Sequence, residues 1–391
     1  MHVALCTDGV FPQAMGGMQR HSRLLAEHLA RSGKVKLTVL HPHPVGIFDP
    51  TLGIEEVHVP DIDRSRLYIR ELWRYSERVG KELERIKPDV ILSQGFCVWQ
   101  GIDRFRDRLI VHPHGLEMFQ MLTRKERVLG WPFRAGLRYM VRNSAVVISL
   151  GGKLTSILQG LAQGSRCRVV VIPNATDIPQ ASMPSPEATA GEASDKEQVS
   201  SDSTGPLPLL FVGRFAFNKG LDVLLTVARR LVAEGRKDLV RFQLAGDGPL
   251  LEELKHDLPP NVQLLGRVDD AQLNALYTEC AALILPTRFE GMPTVVLEAM
   301  ARAKPIIVSD VGASGELVGP HNGYLLPPGD AEALYQAVVA FAGRSPEVHG
   351  KMGAYSHRLV SERFSWPAAT EQFIDLFEQV SMDAGREAGG R

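Results

Sequence analysis

The sequence predicts an α/β protein of two domains, each a parallel β-sheet with helices on both faces. Short apolar runs alternate with longer amphipathic segments through both halves of the 391-residue chain, and this alternation is typical of parallel sheets. Residues 179–206 interrupt it: they are rich in Ser, Pro, Ala, Thr and acidic residues and have too few apolar side chains to form a core. We therefore expect one domain over residues 1–178, a flexible linker over 179–206 and a second domain over 207–364.

Composition excludes several classes of protein. With 44% hydrophobic and 23% charged residues the chain can bury two cores. The formal net charge of −1 gives no overall basic balance for binding nucleic acid. The four cysteines are too far apart in sequence to suggest a metal or redox pair. The first residues lack the features of a signal peptide, and no run of about 20 apolar residues could span a bilayer. We therefore expect a reduced, cytoplasmic chain.

In the first half, a strand over residues 2–6 is followed by a loop with Gly16 and Gly17 and then by a helix. This order lets backbone N–H groups approach a phosphate, although a Gly-Gly pair is also a common flexible turn. Strands are predicted over 35–40, 54–59 and 89–94, with a long charged helix over 64–87. Asp61-Ile62-Asp63 is a D-x-D triplet, which can hold a divalent metal. Because it directly precedes the charged helix, we interpret it as a cap and solvated surface, and we expect no metal there.

A strand over residues 109–112 leads to His114, which lies between the strand end and a glycine. Such a histidine can line a ligand cleft at the carboxyl edge of a parallel sheet, or it can simply pack in the core. The segment 120–142 then carries one-sided positive charge interleaved with apolar and aromatic residues. It could lie on an anionic membrane surface or hold an anionic acceptor, or it could be an ordinary amphipathic helix. Both interpretations stay open. Strands over 145–149 and 168–172 complete this half.

The second half begins with a strand over residues 207–212, and the loop that follows it carries Arg214 and Lys219. Two cations close to a helix N-terminus can neutralise a diphosphate and stabilise it as a leaving group. Strands over 241–245 and 262–265 follow, and the second ends at Gly266-Arg267-Val268. A helix over 273–277 and a strand over 281–285 come next. A last helix is expected over 365–380, and the tail beyond it is expected to be disordered.

Two glutamates stand out in the stretch 286–318, with seven residues between them. Glu290 opens the turn Glu290-Gly291-Met292-Pro293, and a buried helix begins at Thr294, where free N–H groups favour phosphate. Glu298 lies about one turn inside that helix. A carboxylate on each side of a phosphate site suits a nucleotide sugar. For two isolated glutamates, the alternative is a turn former and a solvated helix residue.

The surrounding residues decide between these alternatives. The run resembles the E-x7-E signature of the retaining GT-B glycosyltransferases, and its continuation LEAMARAKPIIVSDVGASGELV is similar to that of their family 4. The G-R-x(4)-K-G pattern at residues 213–220 resembles the family's pyrophosphate-binding loop. The resemblance covers nearly the whole chain except the linker. It implies the GT-B fold: two Rossmann-like domains with parallel sheets facing across a cleft, with the helix 365–380 packed back onto the first domain.

The resemblance also implies a function. It is retaining, metal-independent transfer of a hexosyl-type sugar from a nucleotide diphosphate sugar to a hydroxyl of a glycan, glycolipid or small-molecule acceptor. No cofactor is implied. The setting would be cell-envelope polysaccharide or glycolipid biosynthesis, in the cytoplasm or at the inner face of the membrane with peripheral contact through 120–142. A nucleotide-sugar epimerase, a sugar phosphorylase or a non-catalytic nucleotide-sugar-binding protein are the alternatives.

The family pattern assigns roles residue by residue. Glu290 would hold the hydroxyls of the transferred sugar and Glu298 the nucleotide ribose. The implied catalytic residues are His114, Arg214, Lys219 and Glu290. The expected acceptor-binding residues rest on position and charge instead: Glu117 shares the loop of His114, and Arg124 and Lys125 belong to the basic segment 120–142. The implied donor-binding residues are Gly16, Gly17, Arg214, Lys219, Gly266, Arg267, Val268, Glu290, Gly291, Met292, Pro293, Thr294 and Glu298. The donor base and sugar, the acceptor, the linkage and the oligomeric state are not specified by these motifs.

Overall fold

The computed structural model describes residues 1–62, 67–120, 124–179 and 205–389 of the chain. It divides into two compact units, one formed by Met1–Asn174 with Trp366–Arg391 and the other by Ala175–Ser365. Asp63 of the D-x-D triplet and residues 180–204 of the linker lie outside the described residues, as do the side chains of Arg124 and Lys125.

In the part of unit 1 that the structure describes, seven strands form one parallel sheet. They are β1 (His2–Cys6), β2 (Lys36–His41), β3 (Glu55–His58), β4 (Val90–Gln94), β5 (Leu109–His112), β6 (Val146–Ser149) and β7 (Arg168–Val171). Their order is β3-β2-β1-β4-β5-β6-β7, and every neighbouring pair is parallel. The central strands are short, nearly continuous apolar runs because helices cover both faces of the sheet.

The first helices of unit 1 follow the predicted pattern with shifted ends. They are α1 (Gly17–Ser32), α2 (Tyr68–Ile86), α3 (Arg124–Leu129), α4 (Trp131–Arg142) and α5 (Gly152–Ala162). Helix α1 is capped at its C-terminus by Gly33, which has a left-handed φ of 66° that glycine adopts without steric cost. Helix α2 begins at Tyr68 rather than at residue 64, and residues 63–66 before it lie outside the described part of the chain.

Unit 2 is built on a second parallel sheet. Among its described residues the strands are β8 (Leu207–Val212), β9 (Val240–Ala245), β10 (Val262–Gly266), β11 (Ala282–Leu285), β12 (Ile306–Ser309) and β13 (Gly323–Leu326), in the order β10-β9-β8-β11-β12-β13. The helices are α6 (Leu221–Ala233), α7 (Leu251–His256), α8 (Asp270–Glu279), α9 (Thr294–Met300), α10 (Ala331–Ala342) and α11 (Pro346–Arg363). The prediction of two parallel-sheet, Rossmann-like domains is confirmed.

In each sheet the chain changes direction once, from adding strands on one side of the first strand to adding them on the other. This switch point is where a ligand site is expected. In unit 1 the chain runs outward from β1 to β3 and then crosses to β4 on the other side of β1; in unit 2 it does the same from β8 to β11. Open parallel sheets bind ligands outside the carboxyl ends of their strands, at such a switch point. The loops that leave β1, β4, β8 and β11 are therefore the expected positions of a ligand site.

The final helix, α12 (Trp366–Gly389), corrects the prediction for the tail. The helix was expected to stop near residue 380, but it continues for about two more turns. Two features hold this longer helix against unit 1. Val380 is buried, and Asp383 forms an ion pair of 3.3 Å with Arg168 in β7. Trp366 stacks on His28 of α1 with 5.1 Å between ring centroids, and Glu371 pairs with Lys34 at 2.6 Å. Helix α12 is therefore an integral part of unit 1.

Candidate functional site

The switch point of unit 2 brings together two residues that the motifs predicted separately. Lys219 ends a short 3-10 turn after β8, and Glu290 lies in the loop after β11. Because β8 and β11 are parallel neighbours, both loops leave the same edge of the sheet. The Lys219 ammonium contacts the Glu290 carboxylate directly, although 71 positions separate them in the sequence. Both side chains are mostly buried, at 20% and 16% exposure. A cation and a carboxylate therefore share the place where the fold binds ligands.

Hydrogen bonds fix these two loops against each other. The carbonyl oxygen of Asn218 accepts from the Thr287 hydroxyl at 2.9 Å and from the Arg288 backbone N–H at 2.7 Å. Arg288 also donates twice to the Asp222 carboxylate, each bond 2.7 Å long, and these bonds hold the pKa of Asp222 below its usual value. The paired, bidentate geometry gives a rigid link. These bonds hold the loops of Lys219 and Glu290 in a fixed position relative to each other.

A third loop supports the Glu290 turn from behind. Gly312 follows β12 with a φ of 54°, and a Cβ atom built on it would lie 2.1 Å from the carbonyl oxygen of Glu290 and 2.4 Å from that of Gly291. The next residue, Ala313, donates its backbone N–H to the Gly291 carbonyl at 2.8 Å. Only glycine fits this position, because both the dihedral angle and the available space exclude a side chain.

Replacing Gly312 with alanine is expected to destabilise unit 2 by at least about 2 kcal/mol and to lower activity, since the methyl group displaces the Glu290 turn. Scanning calorimetry and initial rates measure the two effects. Gly315→Ala is the matched control, because the nearest atom to its added Cβ is 3.5 Å away. Equal stability of the two variants would show that the turn does not depend on this contact.

Glu298 has a partner that the sequence did not suggest. The Tyr277 hydroxyl, from α8, donates a hydrogen bond of 2.9 Å to the Glu298 carboxylate. Tyr277 is 1% exposed, and burial followed by the charge of Glu298 raises its pKa well above the usual value. Arg302 donates to the Glu298 backbone carbonyl at 2.8 Å. The carboxylate is therefore held in place from α8 while its helix, α9, starts beside the Glu290 turn.

The remaining predicted residues of unit 2 lie on loops at the same edge of the sheet. Arg214 is exposed and, within the described residues, its guanidinium forms no hydrogen bond or ion pair, so the structure does not join it to the Lys219–Glu290 pair. Gly266 ends β10, with Arg267 and Val268 after it. Met292 is buried, and Pro293 occupies the N-cap position of α9 before Thr294.

In unit 1, Gly16 and Gly17 follow β1 at the switch point. Gly16 precedes α1, and a Cβ atom there would lie 2.2 Å from the Gln19 side-chain oxygen, whereas nothing lies within 4 Å of a Cβ on Gly17. The open space beside Gly17 leaves its backbone accessible. Gln19 also donates to Asp8 at 3.0 Å, which ties the start of α1 to the end of β1.

His114 belongs to a cluster of three histidines, two of which the sequence did not single out. It follows β5 with a left-handed φ of 60°, and its Nε2 lies at hydrogen-bond distance from the Gln94 side-chain oxygen. Its ring stacks on His112 with centroids 3.9 Å apart and meets the His21 ring edge-on at 4.9 Å. Burial lowers the pKa of all three, that of His21 to about 4. The cluster is therefore neutral at physiological pH.

Three histidines this close invite comparison with a metal site, since one nitrogen from each lies within 4.8 Å of the others. However, the His112 and His114 rings are inclined by only 25°. A metal ion lies close to the plane of each ligating imidazole, and two rings stacked face to face with centroids 3.9 Å apart do not place one ion in both of their planes. The arrangement instead fits packed neutral rings beneath α12.

Because of the histidine cluster, we expect the stability of unit 1 to fall in acid. Between about pH 6.5 and 4 the unfolded chain protonates His21 while the folded protein does not, so stability falls as the pH falls through this window. The loss from His21 alone is about 3 kcal/mol, and His112 and His114 add to it in the same direction. All four tryptophans lie in unit 1, so urea unfolding followed by tryptophan fluorescence at pH 7.5 and 4.5 reports on this unit.

His21→Gln is expected to flatten the pH dependence measured in that experiment. His58→Gln, which replaces an exposed histidine of the same unit, is the control and keeps the wild-type slope. If both variants retain that slope, another group is responsible for the acid sensitivity.

The apolar residues of the segment 120–142 are divided between the core and the surface. Leu137, Met140 and Val141 of α4 are buried, as an amphipathic helix requires. Leu129 and Trp131, at the junction of the two helices, are exposed by 64% and 65%. Glu117 lies in a short 3-10 turn and is exposed. Over the described ranges of the chain, no helix combines the length and the apolar character that a membrane span requires.

Two family models match the chain, and together they cover most of both units. Residues 207–343 match the model described as "Glycosyl transferases group 1", and residues 15–180 match that of "Glycosyltransferase Family 4". The chain belongs to the family 4 glycosyltransferases. Every catalytic residue implied by the motifs falls inside one of the two matched segments of this family 4 chain.

Relatives and solved structures agree with the assignment. The putative teichuronic acid biosynthesis glycosyltransferase TuaC of Bacillus subtilis is 30% identical over 203 residues, which cover 51% of this chain and 45% of TuaC. The chain spans about half the length of the curated relatives it first matches. Sucrose-phosphate synthase from Thermosynechococcus elongatus superposes with a TM-score of 0.76 at 21% identity, covering 97% of this chain and 98% of that one.

A second solved structure is the HepE protein of Anabaena in complex with UDP-glucose. Its TM-score is 0.66 at 16% identity, with 97% of this chain and 100% of that chain covered. These likenesses confirm the GT-B fold of this family 4 member.

Proposed function

We propose that the protein is a retaining glycosyltransferase that moves a hexosyl-type sugar from a nucleotide diphosphate sugar to a hydroxyl group of a glycan or glycolipid. The observation that carries the proposal is the contact of Lys219 with Glu290 at the β8–β11 switch point. An ammonium suits the diphosphate of such a donor, and a carboxylate suits the hydroxyls of its sugar. We propose that a bound donor replaces this contact, with its diphosphate against Lys219 and its sugar hydroxyls against Glu290.

In the proposed reaction, the bond between the anomeric carbon and the diphosphate oxygen breaks, and the acceptor oxygen bonds to the same face of that carbon. The acceptor proton passes to the departing diphosphate. Lys219 and Arg214 stabilise the negative charge that develops on the leaving group. We propose that transfer needs no metal ion or other cofactor, because these two side chains supply the positive charge.

We assign Glu298 to the ribose hydroxyls of the donor, with Tyr277 as the residue that positions it. Their hydrogen bond fixes the carboxylate rotamer. In unit 1, we propose that the neutral His114 offers a hydrogen bond to the sugar and that the Gly16 and Gly17 backbone approaches phosphate. UDP-glucose in the HepE complex and the name of TuaC support a uridine diphosphate sugar as donor and a cell-envelope polysaccharide or glycolipid as acceptor.

The test is an assay of transfer from a panel of uridine, guanosine and adenosine diphosphate sugars, with the anomeric configuration of donor and product compared by NMR. Retention is expected. Glu298→Gln should raise the donor KM with kcat little changed, whereas Glu290→Gln should lower kcat as well. An inverted product would contradict the mechanism, and conversion of the donor without any acceptor would favour an epimerase.

A further inference from the structure

Unit 1 contains a cavity of about 680 Å³ that none of the motifs accounts for. Its walls come from the segments that precede β5, β6 and β7 and from the last turns of α12. These are the amino ends of parallel strands, whereas His114 follows the carboxyl end of β5. Four residues of strand separate the two ends by about 13 Å. The cavity is therefore a separate place from the histidine cluster.

Arginine dominates the walls of this cavity, which we call the arginine pocket. Its charged lining residues are Arg106, Arg142, Arg166, Arg168 and Arg386, with Asp107 and Asp383 as the carboxylates. Five guanidinium groups against two carboxylates leave a surplus of three positive charges. This surplus stands out in a chain whose formal net charge is −1. Arginine stays protonated at any physiological pH, so the surplus is permanent.

Neutral groups orient two of these arginines without cancelling their charge. Arg106 donates from Nη2 to the Asn143 side-chain oxygen at 2.8 Å, and Arg142 donates from Nη2 to the Gln163 backbone carbonyl at 3.2 Å. Within the described residues these contacts use one of the five donors on each guanidinium. Asp383 pairs with Arg168 at 3.3 Å. The pocket thus holds positioned cations with unused donors.

We propose that the arginine pocket binds a phosphate-bearing anion and is a second ligand site of this protein. Its volume lies in the range of small-molecule sites, about 300–1,000 Å³. The forked guanidinium matches phosphate oxygens bidentately. Like charges collected around one cavity repel each other, and a bound anion offsets that repulsion. The shared chemistry is a phosphate ester or diphosphate, carried either by a soluble molecule or by a lipid headgroup.

The binding test uses inorganic pyrophosphate, measured by titration calorimetry at constant ionic strength. Arg214→Ala/Lys219→Ala protein is the background, because it lacks the cations that would bind pyrophosphate in unit 2. Saturable binding is expected to persist there and to weaken at least tenfold when Arg106→Gln and Arg142→Gln are added. Arg70→Gln is the matched control: it removes one exposed arginine of unit 1 that lies outside the pocket, and it should leave binding unchanged.

A second arm separates the two sources of phosphate. Vesicles of phosphatidylcholine with and without phosphatidic acid are sedimented with the same proteins. Retention that requires both phosphatidic acid and the two arginines assigns the pocket to a lipid headgroup, whereas pyrophosphate binding without vesicle retention assigns it to a soluble ligand. Tryptophan fluorescence during urea unfolding checks that unit 1, which contains the pocket, folds in each variant. Undiminished pyrophosphate binding after Arg106→Gln/Arg142→Gln would overturn the proposal. So would a failure of the Arg214→Ala/Lys219→Ala background protein to bind either pyrophosphate or phosphatidic acid vesicles.

Discussion

Replacing Arg214 and Lys219 together with alanine is expected to lower kcat by about 10³-fold or more. Removing one group that stabilises developing negative charge typically costs about 10²–10³-fold, and this variant removes both of the positive charges that we propose stabilise the leaving diphosphate. Initial rates at saturating donor and acceptor measure the effect. Lys237→Ala is the control, since Lys237 is an exposed lysine of the same unit, and it should retain wild-type turnover.

The ion pair with Glu290 complicates the single variant Lys219→Ala, which leaves a mostly buried carboxylate unpaired. That loss destabilises unit 2 independently of any catalytic role. Lys219→Ala/Glu290→Gln removes both charges and is expected to regain stability in scanning calorimetry while staying inactive. If activity returns together with stability, the pair is structural and the proposed role of Lys219 in transfer is wrong.

Replacing Phe373 with alanine is expected to destabilise unit 1 by about 3–5 kcal/mol, the usual cost of deleting a buried phenyl ring. Phe373 is fully buried on α12, with its ring 6.3 Å from that of His21 and 5.9 Å from that of Phe377. The cavity left behind lies between α12 and the histidine cluster, where polar rings cannot collapse to fill it. The measurement is urea unfolding followed by tryptophan fluorescence.

Met382→Ala is the matched control for Phe373→Ala, because Met382 lies on the same helix but is 61% exposed. Its replacement should change the free energy of unfolding by less than about 0.5 kcal/mol. Equal effects of the two substitutions would mean that α12 is not packed on unit 1 in solution.

Local sequence determined most of the fold. Strands β1, β5 and β8 have the predicted bounds because each is a short apolar run between turn residues. The positions of Lys219 and Glu290 after strand ends were also predictable, since each follows a short apolar run, and their roles stay a prediction. Their direct contact was not, because it depends on which strands are neighbours in the sheet.

The features that the sequence did not reveal all depend on residues distant along the chain. Tyr277 holds Glu298 from another helix, and His21 meets His114 from α1. The tail beyond residue 380 is locally polar, and its helix contacts the rest of unit 1 through the ion pair of Asp383 with Arg168. The arginines of the pocket come from four separate segments, so no single window of sequence shows their surplus of charge.

The discontinuity of unit 1 imposes an order on biosynthesis. The ribosome releases the described strands of its sheet early, but Trp366 and Phe373, which cover the histidine cluster, are translated only after the whole of unit 2. Until then the surface that α12 will cover stays open to water and to other nascent chains. Exposed apolar surface of this kind promotes aggregation. Unit 2 is contiguous and can fold as soon as it emerges, so the first unit to be translated is the last to be completed.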